Sequence, residues 1–193
     1  MPLTPSTMLP LGTEAPDFTL TDVVGGGPVT REGFRGRPAV LVMFICNHCP
    51  FVVHVRPELV RAAHEFLDRG VGVVAINSNS AATHPQDGPE NMRKLALEEG
   101  WRFPFAFDGT QAVAKAFRAA CTPDLFVLGP DLRVAYRGQF DDSRPGNGTP
   151  LTGRDLRAAL EAVLAGRPAP EPQLPSMGCN IKWTPGNEPD YAQ

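Results

Sequence analysis

The chain has 193 residues, 42% of them hydrophobic, and a net charge of −3, enough apolar material for one domain with a substantial core and an appended tail. No basic run supplies a nucleic-acid footprint and no apolar stretch approaches the roughly 20 residues that cross a bilayer, so neither nucleic acid nor membrane is an expected partner. The first residues hold neither Lys nor Arg and are broken by Pro2, Pro5 and Pro10, which predicts no secretory leader and a cytoplasmic location, where four cysteines read as redox or metal groups rather than structural staples.

Residues 1–13 read as a loose arm. Asp17 to Val24 alternates as a strand should, and Gly25-Gly26-Gly27-Pro28 turns it into a second short strand, an N-terminal β-hairpin extension. Ala39 to Ile45 is a continuous apolar run rich in Val and Leu, the pattern of a buried strand. A helix is predicted from Pro50 to Arg69, with Val52, Val55, Leu59, Ala63, Phe66 and Leu67 stepping by three and four, a kink at Pro57 and an end at Gly70. Val71–Ile76 is a second buried strand, and a polar loop, 77–88, leads to a helix that Asp87 or Gly88 starts, that Pro89 suits and that Gly100 closes. A short strand at Phe103–Phe107 and a helix over Thr110–Ala120 follow. Asp124–Leu128 and Leu132–Gly138 flank the turn Gly129-Pro130-Asp131, and Asp155–Gly166 is a last amphipathic helix. The body therefore spans 14–166. Beyond it, prolines at 168, 170, 172, 175, 185 and 189 predict an extended tail over 167–193 without regular structure. The order implies an α/β fold with a mixed central sheet and helices on both faces.

The chemistry concentrates in Cys46-Asn47-His48-Cys49-Pro50, between the buried strand and the first long helix. Pro50 suits the first helical position because the donor it lacks would be unpaired there. Cys49 is then the N-cap, facing free amides and the positive end of the helix dipole, which favour thiolate over thiol. Cys46 can close a short disulfide with Cys49 if their Cβ atoms come within about 4 Å. His48 is adjacent and His54 a turn further on, where an imidazole lowers a thiol pKa or moves its proton, although both also suit a polar surface.

Several separated segments carry a resemblance. Ala15–Leu20 and Gly36–Phe44 are similar to the entry strand and reactive-site approach of peroxiredoxins, the alkyl hydroperoxide reductase and thiol-specific antioxidant branch of the thioredoxin fold. More narrowly, Cys46–Pro50, Asp141–Pro145 and Gly178-Cys179-Asn180-Ile181-Lys182-Trp183 resemble a less characterised peroxiredoxin-like group. The likeness spans roughly residues 10–166 and implies a thioredoxin fold. It also implies that Thr122-Pro123 is a cis pair facing the reactive sulfur, with the Thr122 backbone free to bond a bound peptide, so Pro50, Thr122 and Pro123 are candidate substrate contacts.

The register of the resemblance favours Cys49 over Cys46 as nucleophile, because Pro57, eight residues after Cys49, matches the kinking proline of thioredoxin-like first helices. Cys46 then falls where peroxiredoxins place a hydroxyl, and Met43 where thioredoxins often carry a buried acid. Both departures count against a standard member of either group. The expected activity is thiol–disulfide exchange by Cys49, with Cys46 resolving and Cys179 or Cys121 as further candidates. The alternative is a thiol peroxidase with Cys49 peroxidatic and Cys46 or Cys179 resolving. Arg118 and Arg137 are candidates for a positive charge near the thiolate. Protein or small disulfides, or hydroperoxides, would be substrates, and a dithiol the reductant. No cofactor motif is visible, and metal binding through Cys46, His48 and Cys49 lacks a fourth ligand and sets two ligands side by side. A redox-inert binding module is the remaining reading, and Asp141, Asp142 and Arg144 read as a solvated or capped loop cluster.

Overall fold

Val40–Phe44 (β4), every residue of it buried, forms the centre of the molecule. The computed structural model describes residues 3–192. In chain order the strands are Leu3–Pro5 (β1), Thr19–Asp22 (β2), Pro28–Thr30 (β3), β4, Gly72–Asn77 (β5), Phe105–Phe107 (β6), Cys121–Thr122 (β7), Asp124–Leu128 (β8), Val134–Gly138 (β9) and Met177–Asn180 (β10). The helices are Pro50–Asp68 (α1), Pro89–Glu98 (α2), Ala112–Ala116 (α3) and Arg154–Leu164 (α4).

A seven-stranded sheet runs β3-β2-β6-β5-β4-β8-β9. β4 pairs parallel with β5 and antiparallel with β8, so the sheet is mixed. The continuous apolar run has its cause here: β4 is covered on both faces, and an alternating pattern would bury polar groups. Leu41 and Met43 face α1 and α4, where Val52, Leu59, Phe66, Leu156 and Leu160 fill the layer. Val40, Val42 and Phe44 face the other layer, with Phe117, Phe126, Ile181 and Trp183. No helix among the described residues is long and apolar enough to cross a membrane.

Three expectations are corrected. The helix expected over 110–120 has only five residues, because Gln111 and Arg118 hold φ of 64° and 51° at its two ends, outside helical space. The arm and the tail are not without regular structure. Leu3–Pro5 pairs antiparallel with Met177–Asn180, which pairs antiparallel with Cys121–Thr122, a separate three-stranded sheet ordered β1-β10-β7; Met1, Pro2 and Gln193 of those segments lie outside the described residues. The prolines flank β10 rather than interrupt it, so its ladder keeps its donors. Gly178 is obligatory there: a Cβ would stand 2.0 Å from the Thr122 carbonyl oxygen. Further on, Ile181 and Trp183 are buried in the second layer, where each such side chain contributes roughly 1.5–3 kcal/mol.

Candidate active site

α1 opens as its sequence dictates. Pro50 takes the first helical position, and Cys49 is the N-cap in extended backbone, with φ −61° and ψ 124°. The first helical bond runs from the Val53 amide to the Cys49 carbonyl, 2.9 Å. Pro57 lies inside α1, and the helix continues through it.

The Cys49 sulfur lies among other sulfurs and one threonine. Cys46, Cys49, Cys121 and Cys179 are all unpaired thiols and all buried. The Thr122–Pro123 bond is cis, the Thr122 carbonyl is 3.2 Å from Cys49 Sγ, and the Thr122 hydroxyl is 3.5 Å from Cys46 Sγ. Cys179 stands opposite Thr122 in the β10–β7 ladder. The Cys49 pKa is pulled from 9.0 down to about 4, first by a hydrogen bond from Cys46 and then, against the cost of burial, by Cys179, Thr122 and last the Val52 amide. The side chain makes no capping bond, and among the groups acting on the charge the Cys46 thiol comes first and the Val52 amide last. The Thr122 carbonyl accepts only from the protonated form, so it works against ionisation.

The three partner thiols are all pushed upward, for different reasons. For Cys46 the main cause is its bond to the Cys49 sulfur, followed by burial and the Asp87 charge. For Cys179, raised to about 12, burial comes first. For Cys121 burial and Asp124 dominate, and its sulfur is held 3.5 Å from the Pro123 carbonyl. Once Cys49 is tied up in a mixed disulfide, the main cause acting on Cys46 disappears and burial and Asp87 remain, whereas for Cys179 and Cys121 burial is itself the main cause and stays.

His48 Nδ1 stands 2.6 Å from Asp87 Oδ2 without a well-aligned hydrogen bond, and its ring stacks on His84 at 5.4 Å. Asp87 is fully buried and also accepts from the Asn47 amide at 2.9 Å and from Asn79 Nδ2 at 2.8 Å. Cys46, His48 and Asp87 place one donor atom each within 4.8 Å of one another. Asp87 therefore stands with Cys46 and His48 where sequence reasoning had named Cys49 and found no further ligand. It lies far along the chain in the 77–88 loop, where it read as a helix start. The only local signal was a histidine beside a cysteine with no acid nearby.

Other expected groups lie elsewhere. His54 Nε2 is 2.8 Å from the Ser143 hydroxyl and ties α1 to the 141–145 segment. Asp141 accepts from the Ser143, Thr152 and Gly153 amides, Asp142 pairs with Arg154, and Arg144 donates to Gln139 Oε1. Arg118 covers the Tyr191 ring, and Arg137 donates to the Leu9 carbonyl and to Gln173. Neither arginine bonds the Cys49 sulfur. The Thr122 backbone, expected to be free, is paired with Cys179.

A model of the AhpC/TSA family matches residues 11–137. The chain belongs to the AhpC/TSA family. Among solved structures, an uncharacterised conserved protein from Geobacillus kaustophilus is 56% identical, with a TM-score of 0.94 over 96% of this chain and 98% of that one. A hypothetical protein from Sinorhizobium meliloti is 49% identical, with a TM-score of 0.91 over 94% and 98%. The peroxidoxin BcpB of Mycobacterium tuberculosis is 18% identical, with a TM-score of 0.59 over 81% and 96%, a likeness that carries the thioredoxin fold alone. No curated protein matches the chain. Family membership and fold together establish a thioredoxin-like redoxin of the AhpC/TSA type.

Proposed function

We propose that the protein is a thiol–disulfide oxidoreductase whose nucleophile is Cys49 and whose resolving thiol is Cys46. The observation that carries this reading is Cys49 at the N-cap of α1 against the cis Thr122–Pro123 pair, with Cys46 held 3.5 Å from the Thr122 hydroxyl and Cys49 drawn down to about 4. Cys49 thiolate attacks one sulfur of a substrate disulfide and releases the other half as a thiolate, which takes a proton. Loss of the Cys49 charge removes the main cause holding Cys46 protonated. Cys46 then gives up its proton, with the His48–Asp87 pair within 4.8 Å of its sulfur, and attacks Cys49 to release the second thiol. The pair takes the place of the buried acid that Met43 does not supply. A dithiol donor returns the two electrons.

The peroxidase alternative has less support. Cys46 stands where a peroxide-orienting hydroxyl would be needed, and Arg118 and Arg137 are engaged elsewhere. Mass-spectrometric mapping after one equivalent of a small disulfide tests the assignment. A Cys46–Cys49 bridge is the expected product, Cys49→Ser abolishes turnover, and a Cys49–Cys179 bridge as the first product overturns the choice of Cys46.

A further inference from the structure

A polypeptide that brings a disulfide to a sulfur beside a strand edge commonly joins that edge as an added strand, its main chain supplying much of the affinity. The edge beside Cys49 is β7, whose Thr122 carbonyl lies 3.2 Å from the nucleophilic sulfur. In this protein it is already taken. β10 pairs along it with Cys179 opposite Thr122 and Asn180 opposite Cys121. β1 pairs with the far side of β10, Leu3 opposite Cys179. The approach is close enough that only glycine fits at 178.

The strand is fastened at its C-terminal end as well. The Ile181 amide donates to the Ala120 carbonyl at 3.0 Å, and the Lys182 amide donates to Asn79 Oδ1 at 2.8 Å. The Lys182 carbonyl accepts from the Ser80 amide at 2.8 Å and from Gln111 Nε2 at 3.0 Å. The Ile181 and Trp183 side chains are inside the second layer. Beneath this cover Cys49 is 1% exposed and Cys46 2%.

We infer that β10 is a built-in occupant of the substrate edge, and that the protein acts on low-molecular-mass disulfides rather than on disulfides within polypeptide strands. This rests on the assignment of Cys49 as nucleophile. A compact disulfide R–S–S–R needs only a path to one sulfur. Cys49 takes one RS group and expels the other as RS⁻. Cys46 attacks next and expels the second, so two electrons pass from the protein dithiol to give two RSH, and the protein keeps a Cys46–Cys49 bond. A strand-borne disulfide must first displace β10, an opening that costs rate.

The test is a single-turnover comparison of the fully reduced protein with bis(2-hydroxyethyl) disulfide and with insulin, each followed by loss of the Cys49 thiol. The small disulfide is expected to react faster by on the order of 100-fold, beyond the ratio shown by a small free thiol with the same two compounds, the size of a modest local opening penalty. Trp183→Ala, which loosens β10 from its anchor in the second layer, is expected to raise the insulin rate about tenfold and leave the small-disulfide rate near wild type. If that variant does not fold, Ile181→Ala loosens the same strand at the neighbouring anchor. Equal corrected rates for the two substrates in the wild type would overturn the inference and leave the oxidoreductase assignment standing. No gain toward insulin in a folded variant would also overturn it. Inertness of Cys49 to both compounds would remove the oxidoreductase assignment, and the inference with it.

Discussion

Replacing Cys46 isolates what ionises Cys49. The Cys49 thiol is held at about 4 instead of 9.0, and the hydrogen bond from Cys46 is the largest cause, with the Val52 amide the smallest. A gap of that size corresponds to about 7 kcal/mol in favour of thiolate, at about 1.4 kcal/mol per pH unit. A hydrogen bond to a charged group contributes about 1.5–3 kcal/mol. Cys46→Ala should therefore raise the Cys49 midpoint by about one to two pH units, whereas Cys46→Ser, which keeps a hydroxyl donor, should recover most of that loss. The assay is the pH dependence of iodoacetamide alkylation, read at the Cys49 peptide by mass spectrometry so that the other thiols do not contribute. The expected order of midpoints is wild type, then serine, then alanine. If alanine leaves the midpoint unchanged, the helix end ionises the sulfur and the donor argument is wrong. If the wild type itself titrates near the ordinary thiol value, burial outweighs all the donors together.

Two further substitutions probe buried carboxyls. Asp124 is fully buried, and burial pushes its carboxyl from 3.8 up to about 8. Because the folded value lies above the unfolded one, the folded chain binds this proton more tightly. Stability is then greatest below about pH 4 and declines as pH rises to about 8, by at most about 6 kcal/mol. Asp124→Asn should flatten that decline in urea titrations at pH 5 and pH 8, and a wild-type profile that is already flat would count against the burial argument. Asp87 accepts from the Asn47 amide and from Asn79 Nδ2 and sits against His48. Asp87→Ala leaves two donors without partners, at about 1–3 kcal/mol each, and should lower unfolding free energy by about 2–5 kcal/mol, with Asp87→Asn losing less because it keeps an acceptor; a loss under about 1 kcal/mol in urea would show that water replaces the carboxylate.

The parts of this protein legible in its sequence are those whose cause is local. Ala39 to Ile45 reads as a buried strand because a strand covered on both faces tolerates no alternation, and β4 occupies Val40–Phe44. Pro50 marks the start of α1 because its missing donor is spare only there. The placement of Thr122 beside Cys49 came from resemblance, since nothing in Cys121-Thr122-Pro123 by itself points at a residue so distant along the chain. What stayed hidden depends on long-range pairing. Met177–Asn180 has neither apolar alternation nor β-branched residues, and it is a strand because β7 and β1 offer edges on its two sides. Asp87 reads as a helix start and only the folded loop aims it at His48. The amide-cap argument singled out Cys49 on the helix dipole alone, and a spacing argument does not register the Cys179 thiol that β10 brings beside it or the weight of Cys46 three residues upstream. Folding converts a two-cysteine motif into a cluster in which one sulfur carries the charge and its neighbours hold the protons. That division of labour is what disulfide exchange requires, since attack needs a thiolate at once and resolution needs a second one only after the first has reacted.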